Sequence, residues 1–230
     1  MPVIRVSHGL YIVGGVNLSH YWDSNSYLVI CEDTCLLVDV GTGRGYLNLI
    51  NNIFELGVDL KMIKFILLTH CHYPNAGGAH ILKGLTGALT VAHYPDSLYM
   101  RIGDQILTDA ISYDEKFTSV PISVELTLTE HDVIDNEEIY VKAIHTPGHT
   151  PGSTSYLVHM KGYDTRILFI GDALGPLSKK WMSDENDWRN SINRLLKYEF
   201  DVLCTSTTCI YSNISKLLEN AVKSKPVWVD

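Results

Sequence analysis

The sequence predicts an α/β fold, and three observations predict it. Short β-rich apolar runs alternate with longer stretches whose apolar residues recur at helical spacing. His70 and His72, His149, and Asp172 each follow shortly after an apolar run, and strand ends are where such a scaffold gathers residues that are distant in sequence. A chain of 230 residues with 46% hydrophobic content can bury a full core, which reads as one large domain over 1–230.

The chain opens with strands at Val3 to Val6, Leu10 to Val13, Ser26 to Ile30 and Cys35 to Val38, with turns at Gly14-Gly15 and Glu32-Asp33. The fourth strand runs into Asp39 and a glycine loop, where Asp39 reads as a carboxylate bracing the loop rather than as a metal ligand. Tyr46 to Leu56 carries Leu47, Ile50, Ile53 and Phe54 at helical spacing and stops at Gly57. Phe65 to Leu68 reads as a buried strand ending in Thr69-His70-Cys71-His72. The side-chain period of two turns His70 and His72 the same way, so they can hold one metal ion, although a pair of surface histidines explains the spacing nearly as well. Cys71 then points away from them. Pro74 stops the extended chain, Asn75 can cap, and Gly77-Gly78 allow close packing as a helix runs from about Ala76 to Lys83. His80 reads as a helix-surface histidine.

Leu89 to Ala92 is a short strand, and His93 sits where it leads into a helix, read as a satisfied structural histidine. Residues 98–120 lack firm periodicity and read either as a helical lid or as a surface excursion. Leu126 to Leu128 and Val133 lead to a turn at Asp135-Asn136, and Ile139 to Ile144 alternates as a strand. Thr146-Pro147-Gly148-His149-Thr150-Pro151-Gly152-Ser153 then holds His149 between two Pro-Gly turns, a rigid presentation that a core histidine does not need. Strands at Ser155 to Val158 and Ile167 to Ile170 follow, the second ending in Gly171-Asp172. Asp172 would be costly if buried without a cation; a turn or helix cap explains it equally until the histidines are counted with it. Asp187 to Tyr198 is helical with Trp188, Ile192, Leu195 and Leu196 on one face, Val202-Leu203-Cys204 is the last strand, and Asn213 to Val222 closes the chain.

Composition narrows the function classes. The net charge of −8 and the lack of a basic block disfavour nucleic acid as a partner. No run of eighteen apolar residues is present, so no membrane span is expected, and Met1 to Arg5 lacks a signal-peptide core. The five cysteines, Cys31, Cys35, Cys71, Cys204 and Cys209, form an odd set that reads as reduced thiols in a cytoplasmic protein.

Taken together, the Asp39 strand end, Thr-His-Cys-His with Gly-Gly behind it, Pro-Gly-His-Thr-Pro-Gly-Ser, Phe-Ile-Gly-Asp and Ser191-Ile-Asn-Arg-Leu195 resemble the metallo-β-lactamase superfamily over nearly the whole chain. In style the chain is most similar to the glyoxalase II and persulfide dioxygenase branches. The resemblance implies a four-layer αββα sandwich with metal at the edge between two sheets. It also implies a first metal site of His70, His72 and His149, with Asp172 as the former bridging acid. The family's second site is interrupted: Pro74 and Asn75 stand where it has Asp and His, and Thr207 is the equivalent of its last histidine. Neither proline nor a neutral amide suits a transition metal. Cys209 reads as an ordinary buried thiol in preference to a substitute ligand.

The expectation is a hydrolase of a small ester or thioester with one Zn²⁺ per chain, Asp172 ligating or holding the water. Two histidines with Asp172 also make a set suited to Fe(II), so a persulfide dioxygenase is an alternative, as is a non-catalytic protein that keeps the fold. A nuclease is disfavoured. Lys179, Lys180 and Arg189 read as solvated charges in preference to an anion site. A small-molecule substrate is expected, and a homodimer is left open.

Overall fold

The structure, a computed structural model, describes residues 3–113, 120–130 and 132–229. The first sheet takes its strands in sequence order: β1 (Ile4–Ser7), β2 (Leu10–Gly14), β3 (Ser26–Cys31), β4 (Thr34–Val38), β5 (Ile63–Leu67), β6 (Leu89–His93) and β7 (Leu126–Leu128). The second comprises β8 (Val133–Asp135), β9 (Ile139–His145), β10 (Thr154–Met160), β11 (Arg166–Gly171), β12 (Val202–Thr205) and β13 (Cys209–Ile210), ordered β13-β12-β11-β10-β9-β8. The helices are α1 (Tyr46–Glu55), α2 (Tyr73–Ala76), α3 (Ala79–Thr86), α4 (Tyr94–Ile102), α5 (Glu185–Leu195) and α6 (Ile214–Lys223).

Strand β4 shows why the layers stack as they do. Every residue in it is buried, because each sheet is covered on both faces. With a side-chain period of two, Leu36 and Val38 meet Val141, Tyr156 and Phe169 of the second sheet, while Cys35 and Leu37 meet Leu49, Ile53 and Leu82 of the helices. A third core packs Leu157, Leu168 and Ile170 against Trp188 and Ile192 of α5 and Leu218 of α6. The result is the four-layer αββα sandwich expected from the resemblance. Side chains of the size of Phe169 and Tyr156, fully buried between the sheets, contribute roughly 1.5–3 kcal/mol each.

Several local readings are corrected. In α1 the buried stripe is Leu49, Ile50 and Ile53; Leu47 and Phe54, seven residues apart, lie beside it and are 61% and 54% exposed. The helix read from Ala76 to Lys83 is two helices, α2 and α3, separated by Gly77-Gly78. Val202 to Cys204 does not belong to the last strand, because the two-residue β13 turns back on it, too short for a periodicity to reveal. That pairing sets Cys204 opposite Cys209, Cα atoms 4.3 Å apart, and the two are joined by a disulfide rather than left as reduced thiols. Cys31, Cys35 and Cys71 are free and buried. In the 98–120 stretch, α4 continues to Ile102 and a 3₁₀ turn covers Ala110–Ser112; residues 114–119 lie outside the described residues. Among the described residues no helix is long and apolar enough to cross a membrane.

Candidate metal centre

Two strand ends and one loop bring the three histidines and Asp172 together. β5 delivers Thr69-His70-Cys71-His72, the β9–β10 loop delivers His149, and β11 delivers Asp172. His70, His72 and His149 are 1%, 5% and 2% exposed, and a ligand atom from each lies within 4.8 Å of the other two. Among the described residues no other His, Cys, Asp or Glu group converges in this way.

Two glycines allow the approach. Gly171, at φ +50°, passes so close to the histidine loop that a Cβ there would lie 2.4 Å from Thr69 Oγ1. Gly148, at φ +133°, runs against the backbone of Trp188 on α5, where a Cβ would meet Trp188 Cα at 2.4 Å. The sheets are tied at this edge by Thr154 N–H donating to Thr69 O at 2.8 Å and Tyr156 Oη to Leu68 O at 2.9 Å.

The hydrogen bonds fix which ring nitrogens face inward. Thr69 Oγ1 donates to Asp39 Oδ2 at 2.8 Å, so it accepts from His70 Nδ1–H at 3.1 Å and leaves His70 Nε2 as the lone pair. That atom is buried without a partner among the described residues. Pro176 O can only accept, so His149 Nδ1, 2.6 Å away, carries its proton and Nε2 faces inward. His149 Nε2 stands 3.0 Å from His72 Nδ1. Burial, reinforced by His149, lowers the His70 imidazole to about 3, and burial with both ring neighbours holds His72 well below its ordinary value. These rings are therefore neutral at physiological pH, the form in which imidazole ligates.

Asp172 sits beside the trio. Its Oδ2 is 3.6 Å from His70 Nε2 and 3.8 Å from His149 Nε2. It is 29% exposed and lines the cleft, so the condition under which this carboxylate would be costly, full burial, is not met.

Asp39 braces the loop, as read from the sequence. It accepts from Thr69 N, Thr69 Oγ1 and Asn75 Nδ2, each at 2.8 Å, yet complete burial pushes its carboxyl up to about 7. Asn75 is 1% exposed and its amide is fully engaged: Nδ2 also donates to Ser206 Oγ at 3.0 Å and Oδ1 accepts from Ser24 Oγ at 2.9 Å. Thr207 is exposed and lines the cleft. Ser206, its neighbour, is the residue that closes on Asn75.

Sequence reasoning missed Asp96 and Trp181. Asp96, in the first turn of α4, accepts from Cys71 N at 2.8 Å, Gly152 N at 2.6 Å and Thr150 Oγ1 at 2.7 Å. One carboxylate thus clamps the two histidine loops together. An acid directly after Tyr94-Pro95 was its only sequence signal. The Trp181 ring lies 4.6 Å from the His72 ring and 5.2 Å from that of His149, covering one side of the site, and no sequence pattern marks it. His93 is not a satisfied histidine: neither ring nitrogen has a partner among the described residues, and the ring stacks on His145 at 3.8 Å. His80 is half-buried, its Nδ1 2.8 Å from Gly77 O.

A family model described as the metallo-beta-lactamase superfamily matches residues 21–207. The chain is similar to a probable metallo-hydrolase of Methanocaldococcus jannaschii, 25% identical over 76% of this chain and 80% of that one. It is also similar to a cytoplasmic hydroxyacylglutathione hydrolase of Arabidopsis thaliana, 34% identical over 49% of this chain; there it spans only 35% of the relative's length. Among solved structures, a metallo-beta-lactamase variant from Cronobacter sakazakii superposes with a TM-score of 0.79 at 19% identity, covering 96% of this chain and 94% of that one. At that identity the likeness speaks for the fold alone. With the layered fold and the strand-end histidines, the match over residues 21–207 establishes that this chain belongs to the metallo-beta-lactamase superfamily.

Proposed function

We propose that the chain is a metal-dependent hydrolase of an ester or thioester, with one zinc ion held by His70, His72 and His149 beside Asp172. The observation that carries this reading is the orphaned, buried His70 Nε2 beside His149 Nε2 and His72 Nδ1, two ring nitrogens facing each other at 3.0 Å. Three imidazole nitrogen donors suit zinc, which when bound acts as a Lewis acid and supplies hydroxide near neutral pH. The remaining work belongs to the chain. Asp172 Oδ2, within 4 Å of two of the rings and open to the cleft, accepts the proton of the attacking water and holds that water toward the acyl carbon. Thr69 and Pro176 hold two rings in their working tautomers, and Trp181 keeps bulk water off the His72 and His149 side. A single ion is supported by the bonding of Asn75 to Asp39, Ser206 and Ser24, which leaves its amide no free atom, and by Pro74 in place of a carboxylate.

The test is elemental analysis of protein purified without added metal, followed by hydrolysis of an activated thioester by zinc-loaded material. One ion per chain is expected, with His149→Ala abolishing both binding and cleavage; two ions, or none after loading, contradict the reading. Oxygen uptake with a persulfide and Fe(II), without thioester cleavage, assigns the site to dioxygenase chemistry instead. Silence in both assays with metal bound assigns the chain to a non-catalytic role.

A further inference from the structure

The histidines open onto a cleft of about 710 Å³, a size that holds a drug-sized molecule and exceeds what a short acyl group fills. Its inner end is His72, His149 and Asp172. Its outer wall is Ile4 and Val6 of the edge strand β1, Ile12 of β2, Val16 and Tyr211. Ile4, Val16 and Tyr211 are 51%, 58% and 56% exposed, an apolar surface left uncovered next to a candidate reaction site. Trp22 and Tyr113 line the same cleft, their rings edge to face at 5.7 Å.

The charges point the same way. Among the described lining residues there is no Lys or Arg, and the charged groups are Asp23, Asp109 and Asp172. Asp23 is taken up by Thr42 N, Thr42 Oγ1 and Ser19 Oγ, and Asp109 accepts from Ser112 Oγ. Lys180 lies outside the cleft, and Arg189 is bonded to Glu185 and Val222 O. No cationic side chain among the described lining residues is there to pair with an anionic substrate arm.

We infer that the acyl part of the substrate is a long, uncharged, apolar chain lying along Ile4, Val6, Ile12, Val16 and Tyr211, with its carbonyl at the histidines. This rests on the hydrolase reading above and names its substrate class. The reaction is thioester plus water to carboxylic acid plus thiol: the water oxygen bonds to the acyl carbon, the C–S bond breaks, and the departing sulfur takes up a proton.

The test reads binding without turnover. Uncharged S-alkyl thioethers of N-acetylcysteamine are titrated into zinc-loaded protein while tryptophan fluorescence is followed, since Trp22 and Trp181 line the cleft. Each buried methylene is expected to tighten binding about fourfold, so with only half of its six extra methylenes buried the decyl compound should bind about 60-fold tighter than the butyl one. Ile4→Glu and Val16→Glu, both at exposed positions, should each weaken decyl binding about tenfold with zinc content unchanged. Equal binding of butyl and decyl, or tighter binding of a decyl analogue ending in a carboxylate or a trimethylammonium group, overturns the inference. If short thioesters are cleaved but no chain-length gradient exists, this inference fails and the hydrolase reading stands. A gradient without any cleavage leaves an apolar chain-binding cleft but overturns the hydrolase reading, and with it the assignment of that chain as an acyl group.

Discussion

Asp96 offers the sharpest perturbation, because one buried carboxylate holds both histidine loops. In Asp96→Ala the N–H groups of Cys71 and Gly152 lose their acceptor inside the protein. Thr150 Oγ1 keeps Ser153 Oγ at 2.7 Å, so the loss is concentrated in the two backbone donors. An unpaired buried donor costs about 1–3 kcal/mol, which puts Asp96→Ala at about 2–5 kcal/mol once partial relaxation is allowed for. Asp96→Asn keeps one oxygen acceptor but turns an NH₂ toward the other donor, and is expected to cost about 2 kcal/mol. At about 2–4 °C per kcal/mol for a chain of this size, Asp96→Asn should melt some 4–8 °C lower. Loosening the loops should also weaken zinc about 10- to 100-fold, the usual effect of removing a group that orients metal ligands. Urea unfolding of metal-free protein gives the first quantity, and competition with a chromophoric chelator the second. If stability falls while zinc affinity stays within twofold of the unmodified protein, Asp96 holds the fold but not the ligands, and the clamp argument is refuted.

Acid should act on the metal-free protein with opposing signs. His70, lowered to about 3, and His72, held well below its ordinary value by burial and its ring neighbours, contribute stability that is full above about pH 6.5 and lost as pH falls. Asp39, raised to about 7, contributes stability that is full below about pH 4 and lost as pH rises through 7. Asp39→Asn removes that compensation, so its stability should fall more steeply between pH 6.5 and 4.5, by up to about 1.4 kcal/mol per pH unit; parallel urea-derived slopes would exclude this. Gly171→Ala should lower stability by about 2–3 kcal/mol in urea unfolding, since its Cβ meets Thr69 Oγ1 at 2.4 Å and its φ is +50°; an effect under 0.5 kcal/mol would count against the close approach. The triple variant Pro74→Asp, Asn75→His, Thr207→His should bind a second zinc ion with a gain in hydrolytic rate. A folded triple variant that stays at one ion by elemental analysis shows that the loop at Pro74-Asn75 or the strand end at Thr207 is built differently from the family's second site.

What the sequence revealed and what it hid separate along physical lines. His70, His72 and His149 were legible because each ends or follows a short apolar run, and strand ends need few residues to specify them. Asp39 was read as a brace because a carboxylate before a glycine loop has ready donors, and Thr69 and Asn75 supply them. Leu47 and Phe54 were placed on the wrong face, because period alone cannot fix the phase of a stripe when apolar residues also fall outside it. Asp96 and the Cys204–Cys209 pair depend on contacts between distant turns or on a strand of two residues, and neither leaves a periodic trace. The outer wall of the cleft was hidden for the same reason: strand β1 and Tyr211 meet through Tyr211 Oη donating to Val6 O, across almost the full length of the chain.

The balance of charge at the site supports one ion. His70 and His72 are held neutral, and Asp172 is the carboxylate that, among the described residues, lies within 4 Å of the His70 and His149 rings. A single divalent cation there leaves a local charge of about +1, which a hydroxide ion neutralises; a second would add two more positive charges where Pro74 offers no carboxylate. Asp39 does not make up the deficit, because Thr69 and Asn75 already occupy its oxygens and burial pulls it toward the neutral acid. Asn75 therefore does two things at once. It supplies Asp39 with an uncharged donor where a ligating histidine would otherwise stand, and it ties Ser24 and Ser206 together at the floor of the cleft. On the proposed one-ion reading, such a site carries less charge to draw an anionic substrate, while Ile4, Val16 and Tyr211 beyond it are exposed. Both features favour an uncharged substrate gripped by its chain and polarised only at its carbonyl.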